Sequence, residues 1–195
     1  MIDTPKLDPS RTALLVMDYQ PAILARVEDA DALTGRAAAA IATLREAGAT
    51  IGYVRVGFTD SDLEAIPESA SIGRVRQMPR DFIHADQPGT QIDARVAPED
   101  GDIVVRKVRV GPFLTTDLDE QLRARGVDTL VLAGISTSGV VLSTVRDAHD
   151  RDYRLLVLAD ASADPDPEVH EFLIGLLLPR QAEVVEVAAL EGLLA

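Results

Sequence analysis

The chain has 195 residues, 47% of them hydrophobic, and a formal charge of −13; this is enough for one packed core and too apolar for general disorder. The charge excludes a nucleic-acid backbone or an anionic membrane surface as partner, since both would repel it over about a Debye length. With no cysteine, disulfides, thiolate catalysis and cysteine-ligated metals are excluded as well. The N-terminal stretch Met1 to Ser10 lacks a basic region followed by an apolar run, and no stretch is long and apolar enough to span a bilayer, so a cytoplasmic location is expected.

In chain order, Thr12 to Met17 is a continuous apolar run that stops at Asp18, which suits a strand buried on both faces of a parallel sheet. Alanine and leucine then recur at helical spacing from about Ala30 to Ala47, with Gly48 placed as a C-terminal cap before a strand over Ala49 to Val56. From Gly57 to Gly101 the pattern breaks into charge, proline and small residues. That is too long for an ordinary connection unless it covers a site, and it reads as a lid-like excursion with short helical pieces. A strand is expected over Asp102 to Arg109, then a helix from Thr115 or Thr116 to Arg125 with a threonine cap, early acids and late arginines. Gly126 ends that helix. A strand over Asp128 to Ala133, a helix through Asp150, a strand over Arg154 to Ala159, a loop over Asp160 to Pro167, a helix to about Leu178 and a strand over Ala182 to Val187 complete the series. The repeated alternation predicts one domain over residues 1–195 of α/β class, a three-layer αβα fold with a central, mostly parallel six-stranded sheet of Rossmann-like type.

The stretch Gly134 to Ala148 carries the most functional information. A buried strand runs there into a glycine turn and a helix, the junction where open parallel sheets place their crevice and where a helix N-terminus supplies free N–H donors. Asp18 should stand at the same carboxyl edge, and a carboxylate there is costly to bury unpaired. Lys107, late in its strand, is its natural partner; the pair would hold Asp18 ionised or let it pass a proton to a substrate. The plainer alternatives are that Asp18 caps a turn, that Lys107 is a solvated strand-end lysine, and that the glycine serves packing alone.

Taken together, these three places resemble the isochorismatase-like hydrolase family, or cysteine hydrolases, which includes nicotinamidases, N-carbamoylsarcosine amidases and isochorismatases. The resemblance covers nearly the whole chain. Leu14-Leu-Val-Met-Asp-Tyr-Gln20 looks like the family's strand ending in Asp-x-Gln, Val104-Val-Arg-Lys107 with Phe113 like its lysine strand, and Thr129 to Thr137 like the approach to its nucleophile turn, with Asp147-Ala148 and Val157 to Ala161 matching the ensuing helix and strand. In the amidases the resemblance implies an Asp–Lys–Cys triad. Here the Asp is Asp18, the Lys is Lys107, and the cysteine position falls on Val140, or on Gly139 if the count slips by one, the residue type that isochorismatases carry. Gln20, Phe113, Ile135, Ser136, Thr137, Ser138 and Gly139 are the substrate-binding residues so implied. The family also commonly has a non-proline cis peptide in this turn, here between Ile135 and Ser136, and a homo-oligomeric assembly, with the apolar face of Phe172 to Leu178 serving an interface or the core.

Departures from the family narrow the choice. Gly57 to Leu63 lacks the Asp-x-His of the nicotinamidase metal site, and His84, His149 and His170 lack ligand spacing, so no metal and no cofactor is expected. Each histidine reads as a surface or helix-face residue, His84 alone standing in the excursion near a pocket. Ser136, Thr137, Ser138 and Ser143 read as backbone caps, with no histidine base placed beside them. Arg74, Arg76, Arg80, Arg106 and Arg109 are either recognition groups for a carboxylate substrate or surface partners of Glu64, Glu68 and Asp81. Three readings follow: a hydrolase in which water attacks a small substrate beside Asp18 and Lys107; a small-molecule-binding or regulatory module that has lost catalysis with the cysteine; and an interaction domain without pocket chemistry.

Overall fold

A computed structural model describes residues 6–194. The first five residues of the N-terminal stretch read above, and Ala195 at the end of the expected domain, lie outside it. Six strands, β1 (Thr12–Met17), β2 (Thr50–Val56), β3 (Ile103–Lys107), β4 (Thr129–Ile135), β5 (Arg154–Ala163) and β6 (Glu183–Val185), form one sheet in the order β3-β2-β1-β4-β5-β6. Every pairing is parallel.

The apolar runs follow from burial on both faces. Ala13, Leu15 and Met17 of β1 join one core cluster, while Leu14 and Val16 join the other, as the two-residue alternation of a strand requires. Helix α1 (Ala30–Glu46) packs Leu33, Ala37, Ala40, Ile41 and Leu44 into the cluster with Leu14 and Val16. The opposite face is covered by α2 (Leu118–Ala124), α3 (Leu142–His149) and the segment after α4 (Pro167–Phe172), through Leu118, Leu122, Val145, Leu173 and Leu178. Gly48 follows α1 with φ 88°, the left-handed cap position that glycine occupies at little cost.

Several boundaries differ from expectation. Strand β4 runs on to Ile135, two residues past Ala133, and β5 continues to Ala163 where a loop was expected. The small residues Ser162 and Ala163 pair with Gly134 and Ile135 after a register shift, and small side chains give no hydrophobic signal. The expected helix after the glycine turn opens with one wide π turn, Thr137–Val141, before α3 begins. Helix α4 gives way at Leu173 to a second π turn and then a 3-10 turn. Helix α2 starts at Leu118, with the Thr116 hydroxyl accepting from the Leu118 N–H at 3.2 Å. The excursion from 57 to 101 holds short turns, Asp60–Glu64, Ser71–Gln77, Arg80–Ile83, Pro88–Thr90 and Ala94–Val96, with its own small cluster of Phe58, Ile66 and Ile83. Among the described residues no helix is long and apolar enough to cross a membrane.

Candidate active site

The strand order reverses direction between β1 and β4, and the crevice of an open parallel sheet lies outside the carboxyl ends at such a point. Asp18 leaves β1 there and Ser136 leaves β4. Lys107 ends β3, two strands away from β1, or about 10 Å at the usual interstrand spacing. Two features close that gap. Asp18 sits at φ 61°, a left-handed conformation that aspartate tolerates better than most residues, and the lysine side chain reaches across the end of β2.

The result is a buried ion pair with Lys107 Nζ 2.8 Å from Asp18 Oδ2. The ammonium also donates to the Val110 carbonyl at 2.8 Å. Asp18 Oδ1 is buried and accepts no hydrogen bond from any described residue. Burial pushes the Asp18 carboxyl above its ordinary range, against the pull of the Lys107 charge. A half-satisfied buried carboxylate of this kind can take up a proton or a donor from whatever occupies the space beside it.

That space is a cavity of about 490 Å³. Asp18, Lys107 and the turn residues Ile135, Ser136, Ser138, Gly139 and Val140 line it. Ile23, Val56, Phe58, Ile72, Val75 and Val110 give it apolar walls, and Arg26, Arg109 and Pro165 complete the lining. Phe58, Ile72 and Val75 come from the excursion, so that segment does cover part of the crevice.

The turn is closely built. The Ile135–Ser136 peptide is cis, as the resemblance implied. Ser136 Oγ accepts from the Gly139 N–H at 3.1 Å, and the Ser138 N–H donates to Asp164 Oδ2 at 2.8 Å. A Cβ on Gly139 would stand 2.6 Å from Ser136 Oγ, so a side chain at 139 requires Ser136 to move. Val140, where a thiol would stand in a cysteine hydrolase, is buried in the core cluster while touching the cavity; Gly139, the other candidate for that position, also lines the cavity.

Three residues expected at the substrate stand elsewhere. Gln20 is buried and clamps the end of β2, its Nε2 donating to Val56 O at 2.8 Å and to Thr90 O at 2.6 Å while its Oε1 accepts from the Val56 N–H at 2.8 Å. Phe113 stacks with Tyr153 in the core, ring centroids 6.2 Å apart. Thr137 is fully buried, its hydroxyl 2.8 Å from His170 Nδ1.

That last contact corrects the expectation that no histidine stands beside the turn hydroxyls. The first turn of α4 delivers His170 to the back of the turn, and the signal was the short Asp-Pro-Asp-Pro stretch that places α4 directly after β5. Burial holds the His170 imidazole below its usual value. Since Thr137 is fully buried, the contact ties α4 to the turn and keeps the Thr137 hydroxyl from acting as a nucleophile. His84, the histidine placed near a pocket, is occupied by Asp86, Arg80 and Asp60 and does not line the cavity.

Among the five arginines considered, Arg109 alone lines the cavity. Arg80 pairs with Asp60 and Asp86, Arg106 with Asp62, and Arg76 donates to the Leu63 and Ile66 carbonyls. Arg26, from the loop after β1, also lines the cavity and had no sequence signal. Among the described residues no three His, Asp or Glu side chains are grouped as metal ligands.

A family model described as Isochorismatase domain matches residues 12–189. The chain is 31% identical to the uncharacterized isochorismatase family protein YwoC of Bacillus subtilis, over 92% of each chain. It is 34% identical to the ureidoacrylate amidohydrolase RutB of Methylobacterium radiotolerans, over 96% of this chain and 81% of that one. Among solved structures, an isochorismatase family protein from Burkholderia thailandensis superposes with a TM-score of 0.84 at 26% identity, over 97% of this chain and 98% of that one. N-carbamoylsarcosine amidase from Thermoplasma acidophilum gives 0.74 at 28%, over 91% and 96%. The chain belongs to the isochorismatase family, as a member without the nucleophilic cysteine.

Proposed function

We propose that residues 1–195 act as a single isochorismatase-like hydrolase domain, cleaving a C–N or C–O bond of a small molecule by direct attack of water, with no covalent thiol intermediate. The observation that carries this reading is the buried Lys107–Asp18 pair, one carboxylate oxygen of which has no partner among the described residues, at the edge of a cavity that both residues line. Asp18 takes a proton from water as the water oxygen bonds to the electrophilic carbon, and returns that proton to the departing nitrogen or oxygen. The carboxylate is thereby restored and one water is consumed per bond broken. Lys107 holds the carboxylate in place and balances its charge; Ile135, Ser136, Ser138 and Gly139 shape the substrate's bed. Gln20, Phe113 and Thr137 act behind it by fixing the strand end, the core and the turn. Relatives named as amidohydrolases and amidases favour C–N bonds among the first substrates to assay.

The test is hydrolysis of a panel of amides, ureido acids and isochorismate by the wild-type chain and by Asp18→Asn and Lys107→Met. Activity in the wild type that falls at least about a hundredfold in both variants supports the reading, general acid–base catalysis being worth that much. Because burial raises the Asp18 carboxyl above 3.8 and the base must be ionised, the rate should fall as pH drops, beginning above the range of an ordinary carboxyl. The second reading, a small-molecule-binding or regulatory module that no longer catalyses, draws on Val140, whose side chain packs into the core where the thiol would stand. Ligand binding without turnover over the whole panel favours it.

A further inference from the structure

The cavity holds one amine. Of the 19 lysines and arginines in the chain, Lys6 and Lys107 alone are lysines. Lys6 is exposed and donates to the Gly192 carbonyl, whereas Lys107 is buried and lines the cavity. Among the described residues the other ion pairs are made by arginine or histidine. A guanidinium keeps its charge at any pH a protein meets, but an ammonium can give up a proton and become a nucleophile. The cation placed beside Asp18 is thus the one kind that can react.

Its surroundings are arranged for that. Lys107 Nζ lies 2.8 Å from Asp18 Oδ2 and donates to the Val110 carbonyl at 2.8 Å, and the third position around the nitrogen has no partner among the described residues. Burial raises the Asp18 carboxyl, and a proton passed from Nζ to Oδ2 leaves both groups neutral, the form that costs least to keep out of water. With Val140 where a thiol would stand, the freed amine outranks the Ser136 and Ser138 hydroxyls as nucleophile of the lining.

We propose that Lys107 forms an imine with aldehydes and ketones that carry an apolar body, as a second chemistry of this cavity. Nζ gives a proton to Asp18 Oδ2, and its freed lone pair bonds to the carbonyl carbon as the C=O π pair moves to oxygen. A second proton passes from nitrogen to that oxygen, giving a neutral carbinolamine. The hydroxyl then takes the proton held by Asp18 and leaves as water while the nitrogen lone pair closes the C=N bond. One water is released, a protonated imine stands beside an ionised Asp18, and no oxidant or reductant is used. Phe58, Ile72 and Val75 of the excursion, with Ile23 and Val56, supply the apolar bed. The proposal rests on the pair and the cavity but not on hydrolysis.

The experiment incubates the full chain with benzaldehyde and sodium cyanoborohydride, which reduces an imine to a stable secondary amine, and maps the benzyl label by fragment mass spectrometry. Lys107 should be labelled several-fold faster than Lys6, although Lys107 is buried and Lys6 exposed. In the chain unfolded in urea the two should label alike. Ile72→Trp, which fills the cavity from the excursion, should lose most of the label at Lys107 and keep that at Lys6; Val75→Trp replaces it if the first variant melts well below the wild type. No label at Lys107, a rate no faster than that of Lys6, an excess that survives unfolding, or an excess unchanged by the filled cavity would each overturn the proposal. Turnover of the amide panel separates the two readings: turnover without label at Lys107 leaves the hydrolase standing and removes the imine, and label without turnover does the reverse.

Discussion

The two walls of the cavity are finished to different degrees. On the β4 side, the turn from Ser136 to Val141 has these polar groups taken up by the protein: Gly139 N–H by Ser136, Ser138 N–H by Asp164, and the Thr137 hydroxyl by His170. Val140 is packed into the core. On the β1 and β3 side, Asp18 keeps one buried oxygen unsatisfied beside a lysine. Native proteins rarely leave a buried polar atom without a partner, and the exceptions call for an explanation. A wall whose groups are mutually satisfied gives shape and rigidity, and a wall with an open acceptor gives reactivity. In cysteine hydrolases of the amidase kind the resemblance implies chemistry on both walls; in this chain the proposed chemistry is concentrated on one.

The largest effect that would break this comparison is loss of the pair. Lys107→Met should destabilise by about 3–5 kcal/mol, because it leaves a buried carboxylate uncompensated, and Asp18→Asn/Lys107→Met should recover most of that. Urea denaturation measures both, and a single-variant loss under about 1 kcal/mol would mean that the pair is as weak as a surface one. Next is Gly139→Ala, which must displace Ser136 Oγ from 2.6 Å and should cost about 1–3 kcal/mol as an overpacked site. Adding Ser136→Ala should return part of it, and the absence of any recovery would place the clash elsewhere.

A smaller effect concerns the support behind the turn. His170→Ala removes the bond to Thr137 and should cost about 1 kcal/mol. His170 is held below 6.5 by burial, so the unfolded chain takes up its proton first. Its contribution is therefore complete above 6.5 and is lost as pH falls from there through the lower folded value. His170→Gln should flatten that part of the stability profile, measured by thermal melts across pH. The smallest thermodynamic change should come from Val140→Cys, close in volume, and it sharpens the comparison chemically. The chain has no other cysteine, so labelling by iodoacetamide reports one site. A thiol facing the cavity should react, and one turned wholly into the core should not.

Much of this was legible in the sequence for one reason: strands buried on both faces write long apolar runs, and β1 and β4 do so. The carboxyl-edge position of Asp18 followed from where the β1 run stops, whereas Lys107 was read as late in a strand expected to reach Arg109 and in fact ends it. What the residues did not disclose depends on contacts between distant segments. The added length of β5 is carried by Ser162 and Ala163, which pair without a hydrophobic signature. Gln20 is a clamp because residues 56 and 90 meet on either side of its amide, and no local pattern encodes that meeting. His170 reaches Thr137 through the lie of α4, and Arg26 reaches the cavity through the path of a loop.

Lys107 has one more consequence, for how the sheet is assembled. Strand β3 is an edge strand, paired with β2 alone, with Val104 exposed on it. Edge strands are templates for unwanted pairing, and inward-pointing charges discourage it. A slip of one residue along β2 would turn Lys107 outward, strand Asp18 without its counter-ion and bring a neighbour into a slot shaped for an ammonium. The lysine that completes the site therefore also fixes the register of the sheet's outermost strand, so that misassembly there is penalised at the same atom on which the proposed chemistry depends.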